Sequence, residues 1–264
     1  MGGTLEWYFY ILTILAGILS GFINTLAGSG SLITLPLLIF LGLPANVANG
    51  TNRVAILLQS LVGMRGFQSH GFLDPKSSVR FAVPAMVGAV LGAQIAVDLN
   101  EELMRRVIGA IMVLMLVIML LNPKRWVEGG KKRHRVAFLE PVVYFLTGVY
   151  GGFIQAGVGI FLISSLVLIS GMDILRANAI KVFVTLLLTL PALAVFMLNG
   201  QVVWTVGAIL ALGSMLGAYL GVKFASKKGA AVWVHRLLVA IVLVSSMKLL
   251  GVFSVILVWV NSIF

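Results

Sequence analysis

The chain has 264 residues, of which 60% are hydrophobic and 10% charged, with a mean hydropathy of +1.10. Soluble domains carry about 25% charged residues, so the composition excludes an ordinary soluble fold and points to an integral membrane protein. The lack of cysteine excludes disulfides, iron–sulfur clusters and thiolate metal sites, and the net charge of +11 sits in short loops between apolar runs, which fits topology control better than nucleic-acid binding.

In chain order, apolar segments are predicted at 5–27, 31–42, 51–68, 79–97 and 103–121, then at 138–156, 160–170, 179–198, 202–222 and 232–250. The opening "MGGTLEWYFY" lacks a basic leader, so Trp7 onward is expected to begin a first span and not a cleaved signal. The second segment of each set is short. Eleven or twelve residues cover about 18 Å, well under a roughly 30 Å hydrocarbon core.

The first and second segments are separated by Gly28-Ser29-Gly30, preceded by Asn24. Asn49, Thr51, Asn52 and Arg53 precede or open the third, and Gln59 follows two turns later. A shift of 129 residues places Gly28 on Gly157, Gly30 on Gly159, Gly42 on Gly171, Asn49 on Asn178, Gly71 on Gly200 and Gly88 on Gly217. A gapless series at one offset signals an internal repeat. The expected organisation is a first transmembrane repeat at 1–122, a basic linker at 123–137 and a second repeat at 138–264.

Charge sets the direction of the two repeats. The basic groups at 65–80, at 124–135 and at 223–236 share the cytoplasmic side only if each half crosses the membrane an odd number of times. The halves are therefore expected to be inverted, five segments each, with both termini outside and the central basic loop in the cytoplasm. Inverted repeats are a common plan of secondary transporters.

Glycine pairs inside a span free backbone groups, which survive in a bilayer only where protein or water covers them. Each pair here is followed by a helix start whose N–H groups and positive dipole end can face an anion. Gly28, Ser29, Gly30, Gly157 and Gly159 are thus candidate ligand contacts, although Gly-x-Gly equally permits close helix crossing. Asn24 and Gln155 precede the two breaks, and Asn178 and Lys181 stand in the second half where Asn49 and Asn52 stand in the first. Arg53 falls on the outer side in this topology, against the positive-inside rule, which points to a role other than anchoring. Lys181 falls on the cytoplasmic side, where anchoring explains it as well as binding does. Gln59 could line the same path or join two helices. The expected site is Asn24, Gly28, Ser29, Gly30, Asn49, Thr51, Asn52, Arg53, Gln59, Gln155, Gly157, Gly159, Asn178 and Lys181. Arg and Lys suit an oxyanion, Arg as a fork and Lys as a point charge.

No Asp or Glu lies mid-span, so the carboxylate relay usual in proton-driven carriers is missing. Metalloprotease, phosphate-loop and hydrolase signatures are absent too, and the methionines are scattered. An enzyme, a metal site and a cofactor are not expected.

The stretches "INTLAGSGSLITLPLLIFLGLPANVANGTNR" and "GGFIQAGVGIFLISSLVLISGMDILRANAIK" resemble the TauE/SafE family of membrane permeases over the whole chain. The resemblance implies transport of a sulfur-containing oxyanion, such as sulfite, sulfoacetate or another organosulfonate. Ser165 stands where Pro36 would map, so the second half is expected to be less sharply broken than the first. The resulting expectation is an all-α polytopic inner-membrane transporter for a small anion, working by alternating access, with no nucleic-acid partner. A short-carboxylate transporter and a non-transporting membrane accessory protein are the alternatives. Oligomeric state is left open.

Overall fold

The computed structural model describes residues 7–121, 137–225 and 239–245. The secondary structure of these residues is all helical. The basic linker predicted at 123–137, except its last residue, and most of the final segment predicted at 232–250 lie outside the described residues. The helices are α1 (Trp7–Ala27), α2 (Ser31–Phe40), α3 (Ala45–Ser69), α4 (Pro75–Val97) and α5 (Glu101–Leu121). After a 3₁₀ turn at Ala137–Leu139 come α6 (Glu140–Phe153), α7 (Val158–Leu168), α8 (Ile174–Leu198) and α9 (Trp204–Phe224). Four of them, α1, α4, α8 and α9, have the length and apolar composition to cross a bilayer.

The helices show why this is a membrane protein. α4 turns Val79, Val83, Val87, Leu91 and Ile95 outward, while Ala82, Ala85, Ala89, Ala93 and Ala96 are fully buried. Large apolar groups outside and small ones inside reverse the soluble pattern. In lipid no hydrophobic force joins helices, so close backbone approach along small residues does that work.

The small residues of α4 serve α6. The Phe145 and Val149 carbonyls lie where a Cβ would stand on Gly88 and Gly92, and the Ala85 and Ala89 carbonyls do the same at Gly148 and Gly152. An equivalent seam joins α1 to α9, with Gly17 and Gly21 against Leu210 and Ser214, and Gly213 and Gly217 against Ile14 and Ile18. The first helix of each set thus packs on the fourth helix of the other.

The 129-residue offset recurs in the backbone. Ala45 and Ile174 open α3 and α8, Ser69 and Leu198 close them, and Pro75 and Trp204 open α4 and α9. The positive-φ glycines form three pairs at the same offset: Gly28 and Gly157, Gly42 and Gly171, Gly71 and Gly200. His70 and Asn199, each just before the last pair, cap α3 and α8. Each side chain reaches back one turn, to the carbonyl of Gly66 at 2.7 Å and of Val195 at 2.8 Å.

Two sequence expectations change. α3 begins at Ala45 and not at 51, and α8 at Ile174 and not at 179. Pro44 precedes the first start, and the Asp173 side chain caps the second by accepting from the Arg176 N–H at 3.0 Å. Both first turns are polar enough to be hidden from a hydropathy reading. The second break is also no milder than the first. Three residues separate α1 from α2 and four separate α6 from α7, because Gly157 adopts φ +73° in the left-handed region and Ile154 is extended. The break comes from the glycine turn, so the missing proline at Ser165 does not soften it.

Candidate functional site

The two interrupted spans, α1–α2 and α6–α7, meet at their breaks. Gly28 and Gly159 touch backbone to backbone, so a Cβ on Gly28 would lie 2.5 Å from the Gly159 Cα and one on Gly159 2.3 Å from the Gly28 Cα. The Gly159 N–H donates to the Gly28 carbonyl at 3.1 Å, and the Gly28 N–H donates to the Asn24 carbonyl at 2.9 Å. Two of the four glycine N–H groups expected to face a ligand are therefore engaged within the protein. Gly30 packs onto Ser20 and Asn24 of α1, and Gly157 onto Met115 of α5.

Each break leaves the C-terminal carbonyls of a helix without a continuing turn. The other half supplies donors. Asn178 Nδ2 of α8 donates to the Thr25 carbonyl at 2.8 Å, and Lys181 Nζ donates to the carbonyls of Asn24 at 2.7 Å and Thr25 at 3.1 Å. Reciprocally, Asn49 Nδ2 of α3 donates to the Phe153 carbonyl at 2.8 Å. The Arg53 guanidinium donates to the carbonyls of Gly151 at 3.1 Å and Gly152 at 2.6 Å. It lies 4.5 Å from the ring centroid of Phe196. A cation at the negative end of a helix dipole is stabilised there. Arg53 is 0% exposed and Lys181 2%. Among the described residues the ion pairs are Arg105–Glu101, Arg106–Glu102 and Arg176–Asp173, so neither buried cation has a carboxylate partner there.

The two cations differ in what lies beside them. Lys181 lines a small cavity, about the size of one water molecule, with Asn24, Thr25, Gln59, Ser60, Val182 and Thr185. Arg53 is enclosed by α6, Asn49 and Phe196. The structure thus joins Asn24, Gln59 and Lys181 of the expected site at one cavity, with Asn178 on the same helix end. Asn49 and Arg53 form a second group at the end of α6. Asn52 Oδ1 accepts from Thr34 at 2.7 Å, the Gln155 amide donates to Thr189, and Thr51 Oγ1 accepts from the Val203 N–H at 2.9 Å, pinning the α8–α9 turn to α3.

Seven buried side-chain polar atoms have no hydrogen-bond partner among the described residues, and six belong to expected site residues: Ser29 Oγ, Asn52 Nδ2, Arg53 Nε, Gln59 Oε1, Gln155 Oε1 and Asn178 Oδ1. Such groups are costly to bury and each calls for an explanation. Sequence reasoning missed Thr25, Ser60 and Thr185. Each is a neighbour or a one-turn successor of a residue it did select, but hydroxyls in membrane helices usually bond their own backbone, as Thr25 does to the Gly21 carbonyl.

The family profile described as "Sulfite exporter TauE/SafE" matches residues 13–249. The chain belongs to the TauE/SafE family. Relatives of this TauE/SafE chain include the "Probable membrane transporter protein ORF9" of Sinorhizobium sp, 29% identical over 250 residues, which cover 92% of this chain and 94% of that protein. The "Probable membrane transporter protein YfcA" of Escherichia coli K12 is 27% identical over 258 residues, 94% of each chain. A "Probable membrane transporter protein" of Haemophilus influenzae is 27% identical over 213 residues, 81% of this chain and 84% of that protein. No solved structure matches.

Proposed function

We propose that this TauE/SafE chain is a secondary transporter that moves a small oxyanion across the cytoplasmic membrane by alternating access, with sulfur oxyanions such as sulfite, sulfoacetate or other organosulfonates as substrates. One observation carries the reading: two cations, Arg53 and Lys181, are buried at the junction of the two interrupted spans with no carboxylate partner among the described residues, and Lys181 lines a small cavity. Charge buried in a span without a counter-charge is costly, which makes it a mark of an ion path. The family description supports the sulfur anion.

The proposed frame is two inverted repeats, 1–122 and 138–264, joined by a cytoplasmic linker. The reciprocal helix seams and the paired glycine turns support it. Each half then rocks about the Gly28–Gly159 contact, opening the Lys181 cavity to one side at a time.

Flux of sulfite, sulfoacetate and short carboxylates into proteoliposomes tests the transport. Uptake of a sulfur oxyanion well above protein-free vesicles is expected. Uptake of carboxylates alone would reassign the substrate, and flux of none would remove the transporter reading. The frame has its own test, because the chain has no native cysteine. Ser69→Cys and Leu198→Cys occupy equivalent, exposed helix ends. An impermeant thiol reagent is expected to label Leu198→Cys from outside intact cells and Ser69→Cys only after the membrane is opened. Labelling from the same side would rule out inversion.

A further inference from the structure

Arg53 and Lys181 each meet the carbonyl end of an interrupted helix, but only one of them can change its charge without undoing that end. A guanidinium keeps its proton in proteins, and the Gly151 and Gly152 carbonyls take their donors from Arg53. Lys181 Nζ donates to the Asn24 and Thr25 carbonyls, and each has a second donor, the Gly28 N–H and Asn178 Nδ2 respectively. An ammonium has three N–H groups, so two are engaged and the third has no partner among the described residues. A neutral amine retains two, enough for both carbonyls. Both charge states of Lys181 are therefore compatible with the same hydrogen bonds, and they differ only in the third N–H. Lys181, Asn24 and Thr25 all line the cavity, and a space the size of one water admits a carrier for a proton.

Among the described residues no other titratable group lines the cavity. On the helices that supply its wall, Arg53 and Arg65 of α3 and Arg176 of α8 keep their charge, and Tyr10 of α1 is exposed. Of the other helices packed on α8, α7 has no titratable residue, and α4 has Lys76 and Arg80 in its first two turns. In α6, Glu140 takes the first position, Tyr144 is paired with Ser170, and Tyr150 donates to the Ala156 carbonyl. A protonated Lys181 with no anion bound is a buried charge without a counter-charge, and carrying it through a change of access is costly. A bound anion removes that cost, and so does loss of the proton. We propose that Lys181 is the coupling group, so that each anion travels with one proton, a role that rests on the transporter reading. The protonated amine takes the anion on one side. On the other side the anion leaves, the third N–H bond breaks, its electron pair stays on Nζ, and the proton passes to water. The neutral, empty carrier then returns. Lysine thus supplies the proton site that no mid-span carboxylate provides.

Proteoliposomes holding the purified full chain test this, with the membrane potential clamped by potassium and valinomycin. The first probe is ethanesulfonate, a monoanion at every working pH. An inward ethanesulfonate gradient is expected to acidify a trapped pH dye well beyond protein-free vesicles. An interior more alkaline by one pH unit is expected to concentrate the anion about tenfold, the ratio for one proton per monoanion. Where ethanesulfonate does not cross, the dye is read with whichever of sulfite, sulfoacetate and the short carboxylates does. Lys181→Arg holds a charge that cannot be given up, and Lys181→Gln holds none. Any flux that either variant retains is expected to be insensitive to pH and to leave the dye unchanged, and the wild-type readings decide the matter should both be silent. Anion flux without proton movement in the wild type would overturn the proposal and leave the transporter reading standing. Proton-coupled flux in either variant would overturn it too, by moving the coupling to another group. If no anion crosses the membrane, both readings fall together.

Discussion

Gly28→Ala is expected to destabilise the protein by about 2–5 kcal/mol, combining a left-handed backbone that a side chain resists with a methyl group forced into a closed crossing. The added Cβ would lie 2.5 Å from the Gly159 Cα, and φ at Gly28 is +75°. Two further variants separate the causes. Gly159→Ala meets the same crossing from the other side, 2.3 Å from the Gly28 Cα, without a positive φ. Gly42→Ala carries φ +95° with nothing within 4 Å of the new methyl, so only the backbone cost of about 1–2 kcal/mol applies. Thermal melting of the three in detergent is expected to rank Gly28→Ala lowest and Gly42→Ala nearest the wild type. Equal melting of Gly28→Ala and Gly42→Ala would mean that the crossing yields and holds nothing together.

Arg53→Met and Lys181→Met are expected to fail in different ways, although both remove a buried cation from the end of an interrupted helix. The Gly151 and Gly152 carbonyls receive their donors from Arg53. Its loss leaves both carbonyls unpaired and removes the charge over Phe196, at a cost of about 2–6 kcal/mol. The carbonyls that Lys181 meets keep a second donor each, from the Gly28 N–H at Asn24 and from Asn178 at Thr25. Lys181→Met is therefore expected to retain a near-wild-type melting temperature and lose most of its anion flux, whereas Arg53→Met loses folded protein. Wild-type flux and stability together in Lys181→Met would show that the cavity is not on the route.

Much of this was legible in the residues, for a physical reason. Breaks in a membrane helix are encoded locally, in the glycines that turn the chain. The offset between Gly28 and Gly157 can therefore be read without knowing what either touches. Helix starts were less legible. Asn46 and Asn49 lower the hydropathy at the head of α3, yet the helix forms there because the Asn49 amide meets the Phe153 carbonyl, which lies far away in sequence. Hydropathy reports compatibility with lipid, and a polar group sheltered by the other half never meets lipid. The division of labour between Arg53 and Lys181 was hidden for the same reason. Both stand near the start of a third helix, and only the opposite half decides which is enclosed and which opens onto a cavity. Thr185 is a further case, since nothing local separates it from Thr189, which accepts from Gln155 instead.

The exchange of partners between the halves constrains the order in which the molecule can be made. α1 leaves the ribosome well before α9, which completes its seam. The carbonyls at its broken end stay without their cross-partners until α8 brings Asn178 and Lys181. A nascent chain that has finished the first five helices therefore holds the Thr25 carbonyl in the membrane without the donors that cover it in the finished protein. The two halves, alike as they are in pattern, are not two small proteins joined end to end. Each is an unfinished surface for the other, and biosynthesis has to shelter the first until the second arrives.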